Sequence, residues 1–246
     1  MPFTPAHTAV VLPFLRWRHL SATGLVVGSV APDFEYFLKF SVDGIHGHTW
    51  AGLVYYDLPL TAVLSLLFHH LAARNLILSM PPFIQSRFID VLDTPFLTIL
   101  KTKPITFIVS ALIGSASHIL WDAFTHGNGF FVGYFSFYDD AFVPFDGVNY
   151  PLWYALQYIS TFVGLAIVVV YLIAKKGRPA LTSGKLSYWI VLIAITLIAM
   201  AIRFQIRSSD MNLGNVVVSA ISGLCLGLLF CGAIPFWKNL KAKGQP

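Results

Sequence analysis

Ser117-His118-Ile119-Leu120-Trp121-Asp122-Ala123-Phe124-Thr125-His126 closes an apolar run that begins near Ile105. Its ionisable members, His118, Asp122 and His126, recur at i, i+4 and i+8. On an α-helix that spacing sets all three on one slowly drifting face. Ionisable groups are costly at or inside a bilayer, so a stripe of three needs an explanation. Two imidazoles flanking a carboxylate are good ligands for a divalent cation. The alternative for the same residues is hydrogen bonding between packed helices. Gly127 and Gly129 follow, as they would after a helix C-terminus. The stretch reads as half of a metal site on a membrane helix, and the other half has to come from elsewhere in the chain.

The 246 residues are 57% hydrophobic and 11% charged, with a mean hydropathy of +0.72. A soluble domain carries about a quarter charged residues. The expected fold is therefore all-α, a polytopic integral membrane helical bundle. It is expected to be a single membrane-embedded domain over 1–246, with the site core in 1–160 and additional transmembrane helices in 161–246. The net charge of +5 does not point to nucleic acid. The Lys and Arg residues cluster in short segments between apolar runs, the pattern of cytoplasmic membrane loops. Cys225 and Cys231 share one apolar run and form neither a CxxC motif nor a disulfide framework. No signal peptide is expected, because no charged segment precedes an apolar stretch with a small-residue cleavage site.

In chain order, Thr4 followed by Pro5 predicts an N-cap and a short helix to about Leu15. Arg16 to His19 form a basic, aromatic turn, and Ser21 can cap a second short helix over Ala22 to Ala31. Such a hairpin brings His7 and Asp33 to the same end. Longer spans follow from Trp50 to about Leu71 and at Ile105–Phe124, Trp153–Ala174, Ser187–Ile202 and Val216–Ala233. With the hairpin this makes about six to seven membrane helices. Residues 75–104 carry basic groups and four prolines and read as a cytoplasmic connection with an interfacial helix. Residues 125–152 hold no Lys or Arg, but Asp139, Asp140, Asp146 and many aromatics. Lys175, Lys176, Arg178 and Lys185, and the terminal Lys238, Lys241 and Lys243, belong in the cytoplasm by the positive-inside rule. The chain is thus expected in the inner (plasma) membrane with its C-terminus inside. Asp122, His126, His48, Asp57 and Asp33 then all fall at the extracytoplasmic face.

Each residue has a plainer alternative. Asp33 can ligate or can cap the next helix. In His46-Gly47-His48 one histidine is expected to bind, because alternate positions point apart, and His46 reads as a supporting group, a proton shuttle or a solvated side chain. Asp57, inside a span, is expected to pair or to orient a ligand from behind. Glu35 reads as an interfacial group or as one that supports a ligand, rather than as a direct ligand. His19, His69 and His70 read as interface anchors, and Arg203 and Arg207 as a solvated helix end. Gly223 and Gly227 read as intramolecular packing.

The segments MPFTPAH (1–7), GSVAPDFEYF (28–37), HTWAGLVYYDLPL (48–60) and SHILWDAFTH (117–126) together resemble a bacterial membrane family, domain of unknown function 4184. The likeness covers about the first two thirds of the chain. More distantly, an early His, a Pro-Asp, a loop His and a helical His-x-x-x-Asp resemble the membrane-bound metal-dependent hydrolases, themselves similar to the all-helical zinc phospholipase C fold. That resemblance implies the ligand set His7, Asp33, His48, His118 and Asp122, with His126 as a further candidate. It also implies a divalent metal, zinc in the first instance. The chain departs from the hydrolase pattern in having Asp-Phe-Glu where Asp-x-Asp is favoured. The implied function is hydrolysis of a phosphoester or lipid-like substrate at the outer membrane interface, with membrane lipid as partner. Asp33, Glu35 or Asp122 would accept the proton, and loop 125–152 would act as a lid. The alternatives are transport of metal or protons, or a structural or assembly factor with a structural metal or polar site.

Overall fold

The computed structural model describes residues 3–237, so the expectation built on Lys238, Lys241 and Lys243 lies outside the described residues. The chain is mostly helical. An irregular helical stretch, Thr4–His7, Thr8–Val11 and Leu12–Phe14, opens it. Then come α1 (Ala22–Gly28), α2 (Phe34–Lys39), α3 (Leu53–Ser79), α4 (Pro82–Leu92), α5 (Phe96–Thr102), α6 (Pro104–Thr125) and α7 (Phe130–Tyr134). A β-hairpin, β1 (Phe142–Phe145) with β2 (Val148–Pro151), leads to α8 (Leu152–Ala174), α9 (Leu186–Ile206) and α10 (Leu213–Ala233).

Among the described residues, five helices are long and apolar enough to cross a membrane: α3, α6, α8, α9 and α10. Each has at least the about 20 residues that a hydrocarbon core demands. The N-terminal hairpin is built of shorter pieces. Pro5 and Pro13 begin 3₁₀ turns on either side of a single α-turn. The second arm is seven residues long.

The chain divides into two compact units. Residues up to 35, 44–65 and 98–175 form the first, and 36–43, 66–97 and those from 176 onward form the second. In the first unit α6 is apolar outward and polar inward. Ile105, Val109 and Leu120 are exposed, whereas Ser110, Ala111, Gly114, Ser115, His118 and Asp122 are buried. That inversion suits a helix solvated by lipid. The small buried face lets α1 approach closely. A Cβ on Gly28 would lie 2.4 Å from the Ala111 carbonyl, and one on Gly114 2.4 Å from the Leu25 carbonyl. Ser115 Oγ donates to the Gly28 carbonyl at 3.0 Å, filling an acceptor that the end of α1 leaves open. The N-terminal stretch lies on α8, where Phe3 N donates to Thr161 Oγ1 and Gly164 meets Ala6.

α3 begins as a π-turn, Leu53–Asp57, just before Pro59, which has no amide for the helix ladder. Asp57, Thr61 and Ser65 follow at i, i+4 and i+8, each fully buried. None of their side-chain oxygens has a hydrogen-bond partner among the described residues. Elsewhere helix hydroxyls bond the preceding turn, as Ser110 does to the Thr106 carbonyl. Thr61→Val removes an unbonded buried hydroxyl at constant shape. It is expected to raise the denaturation midpoint in detergent, by a gain of about 1 kcal/mol. A lowered midpoint would mean that the hydroxyl is bonded, for instance by internal water.

In the second unit α9 packs on α10, with Gly223 against Thr196 and Gly227 against Leu192. The glycine pair thus serves packing within the chain. Arg203, expected at a solvated helix end, is buried instead. Its guanidinium donates to the Phe40 and Arg207 carbonyls and pairs with Asp210. The end of α9 needs its last carbonyls covered, and Arg203 does this from within. His69 stacks on Phe96 at 4.6 Å. Cys225 and Cys231 are free thiols.

Candidate metal centre

His118 is the centre of the first unit's polar cluster. Its Nδ1 lies 2.8 Å from the Ser29 carbonyl. A carbonyl only accepts, so Nδ1 carries a proton and Nε2 is the nitrogen turned to the carboxylates. A backbone carbonyl behind a histidine is the usual means of fixing a metal-binding tautomer. The Ser29 carbonyl is available because α1 ends one residue earlier.

Asp33 is buried where the 3₁₀ turn Ala31–Asp33 closes the hairpin. Thr4 Oγ1 donates to its Oδ2, which turns Oδ1 toward His48 and His118. Thr4, expected as an N-cap, makes no side-chain capping bond; its hydroxyl orients Asp33 instead. His48 is carried by the loop before α3. Glu35 anchors that loop by accepting the amides of Ile45, His46 and Gly47 at 2.7–2.8 Å. Gly47 presses on Pro32, where a Cβ would meet the carbonyl at 2.4 Å, and so seats His48 beside Asp33. Glu35→Gln turns one acceptor oxygen into a donor facing these amides. Divalent-ion affinity, read by calorimetry, is expected to fall roughly 10–100-fold, the range for groups that support ligands. An unchanged affinity would mean that the loop holds itself.

Four donor atoms converge. His48 Nε2 lies 3.3 Å from Asp33 Oδ1 and 3.5 Å from Asp122 Oδ2. His118 Nε2 lies 3.5 Å from Asp33 Oδ1 and 3.4 Å from Asp122 Oδ2. A four-coordinate ion with ligands at about 2.0–2.2 Å places them about 3.3–3.6 Å apart. Octahedral magnesium at about 2.0–2.1 Å would draw neighbouring ligands to about 2.8–3.0 Å. Of these four, Asp33 Oδ1 and His118 Nε2 have no hydrogen-bond partner among the described residues, although both are buried. Unbonded buried donors and acceptors that face one another fit a cation. Two carboxylates and two imidazoles are a donor set suited to zinc.

The other expected residues are also located. His7, 1% exposed, stacks on His118 with ring centroids 3.7 Å apart and planes 14° apart. Its Nε2 lies 3.6 Å from Asp122 Oδ1. His126 Nδ1 is 3.5 Å from the same oxygen but 3.2 Å from the Asp122 carbonyl, and its Nε2 meets the Gln157 amide. His46 faces Tyr55 at 2.9 Å, away from the cluster. Asp57 lies within electrostatic reach of His48, His118, Glu35 and Asp33. Sequence reasoning did not single out Thr4, Ser29 or Gln157 as site residues. The polar stripe Gln157, Thr161 on α8 was a readable signal for the last of these.

The charges support the same picture. Burial drops the His7 pKa to about 3, keeping the ring neutral. Burial also works against a charged His48, but the Asp122 and Asp33 carboxylates outweigh it and hold its pKa at about 9. Burial would raise Asp33, yet His118 and His48 keep it below the usual carboxylate range. Below about pH 9 a proton therefore competes with any cation at His48, so acid weakens metal binding.

The fold and site define a multi-pass helical membrane protein with buried His and Asp groups able to hold a metal ion. The chain belongs to the family described as domain of unknown function (DUF4184), whose model matches residues 1–233. No curated protein and no solved structure matches the chain.

Proposed function

We propose that this protein is a membrane-bound metal-dependent hydrolase acting on a phosphoester or lipid-like substrate at the extracytoplasmic interface. The observation that carries the reading is the convergence of Asp33, His48, His118 and Asp122 from separate segments, each imidazole Nε2 within 3.3–3.5 Å of both carboxylates. A divalent ion held there supplies a Lewis acid that polarises a phosphoryl or acyl oxygen and acidifies water. The second oxygen of Asp122, Oδ1, faces His7 and His126 rather than the quartet. Glu35 spends its oxygens on backbone amides, so its part is to position His48. The His48 side chain is 25% exposed whereas His118 and Asp33 are fully covered, so the cluster opens on the His48 side. Phe130, Tyr134, Phe137 and Phe145 expose aromatic rings in the acid loop, which suits the headgroup region and an amphiphilic substrate. Reconstituted protein is expected to hydrolyse phosphodiester substrates, and His118→Ala to abolish this while the circular dichroism stays helical. Equal activity in that variant removes the reading.

One observation favours transport of protons or a cation. The stripe Asp57, Thr61, Ser65 continues for about 12 Å along α3. Metal or proton uptake into sealed vesicles, abolished by Asp57→Asn and without hydrolysis, would establish that reading in place of the first.

A further inference from the structure

We infer that the cluster holds two cations, bridged by the Asp122 carboxylate. The inference rests on the metal-binding reading above and adds the number of ions and the role of His7. The lone pair of an imidazole nitrogen lies in the ring plane. The His7 and His118 rings are nearly parallel and 3.7 Å apart. Their lone pairs therefore run in separate planes, and an ion in the plane of one ring is out of line for the other. His7 is thus poorly oriented as a fifth ligand to the ion on His118, although its ligand atom lies within 4.8 Å of those of His118 and Asp122.

The Asp122 oxygens divide in the same way. Oδ2 faces His48 and His118 at 3.5 and 3.4 Å, and Oδ1 faces His7 at 3.6 Å. Neither nitrogen of His7 has a hydrogen-bond partner among the described residues, although the side chain is 1% exposed. An imidazole buried with both nitrogens unbonded is costly, and a cation on Nε2 offsets that cost. His126 does not complete the second position. Its Nδ1 suits donation to the Asp122 carbonyl, and Gln157 faces its other nitrogen. It is a positioning residue that steadies Oδ1.

The second ion thus has His7 Nε2 and Asp122 Oδ1 from the protein, and its remaining positions are open to water or a substrate oxygen. Paired metal ions in hydrolytic sites sit about 3.5–4 Å apart. The spacing of the stacked rings matches this. The first ion, with four protein donors, binds more tightly than the second.

The full chain in detergent, equilibrated with excess Zn²⁺ and then dialysed, should carry two zinc ions per chain by elemental analysis. His7→Ala should carry one. In parallel, wild-type protein loaded with Mn²⁺ should give the electron paramagnetic resonance spectrum of a spin-coupled pair, a readout that needs no variant to fold. One ion in wild type, or two ions without spin coupling, overturns the inference and leaves the single-ion reading standing. Zero ions in wild type removes the metal-binding reading itself.

Discussion

Replacing Asp122 with alanine is expected to strip the protein of bound divalent ion. Asp122 is the side chain on which the histidines converge. His7, His48, His118 and His126 all approach its oxygens at 3.4–3.6 Å. Its loss removes a donor from the quartet and the bridge to His7 together. The fall in affinity should exceed the roughly 10–100-fold typical of groups that only support ligands. Hydrolysis of a phosphodiester by the reconstituted variant should drop to background, and metal content after dialysis should fall with it. Asp122 is mostly buried, and its truncation takes one counter-charge from His48, which Asp33 still faces. The variant should therefore still purify as a monodisperse helical protein. Full metal content in Asp122→Ala would show that the quartet does not depend on it.

The second large effect comes from a residue that touches no ligand. Gly114→Val should destabilise the protein by about 3 kcal/mol or more, the upper range for overpacking a tight interior. Helix propensity alone predicts the opposite sign, because valine is a better helix former than glycine. The clash decides. A Cβ at Gly114 meets the Leu25 carbonyl at 2.4 Å and the Ser29 amide at 2.7 Å, and both belong to backbone that has no rotamer to change. α1 must retreat from α6. The Ser29 carbonyl that fixes the His118 tautomer retreats with it. Denaturant titration in detergent and zinc content should fall together. A variant that loses stability yet keeps its zinc would separate the packing of α1 from the metal site.

Parts of this arrangement were legible in the residues. The i, i+4, i+8 stripe on α6 needed only the helical period, and the hairpin that brings Asp33 near His7 needed only Ser21 as a cap and a basic turn. Ser21 does cap α1 through the Gly24 amide. What escaped notice was carried by backbone groups, which have no letter of their own. The Ser29 carbonyl behind His118 and the amides on Glu35 are of this kind. Thr4 illustrates a competition: before a proline it looks like a cap, and burial beside a carboxylate recruits its hydroxyl instead. The β-hairpin in the acid loop did have a signal. Asp146 and Gly147 sit at φ 49° and 74° between the strands. Asp-Gly is the dipeptide that a tight hairpin turn with positive φ prefers. It was masked by the aromatic, apolar character of the flanking residues. Five long spans are evident beside the short hairpin, whose first arm prolines break into brief turns.

Zinc K-edge X-ray absorption on the detergent-purified full chain tests the central claim most directly. A first shell of nitrogen and oxygen at about 2.0–2.1 Å, with the outer-shell pattern of imidazole, is the predicted result. An edge no higher than that of buffer, or a shell containing sulfur, would contradict it.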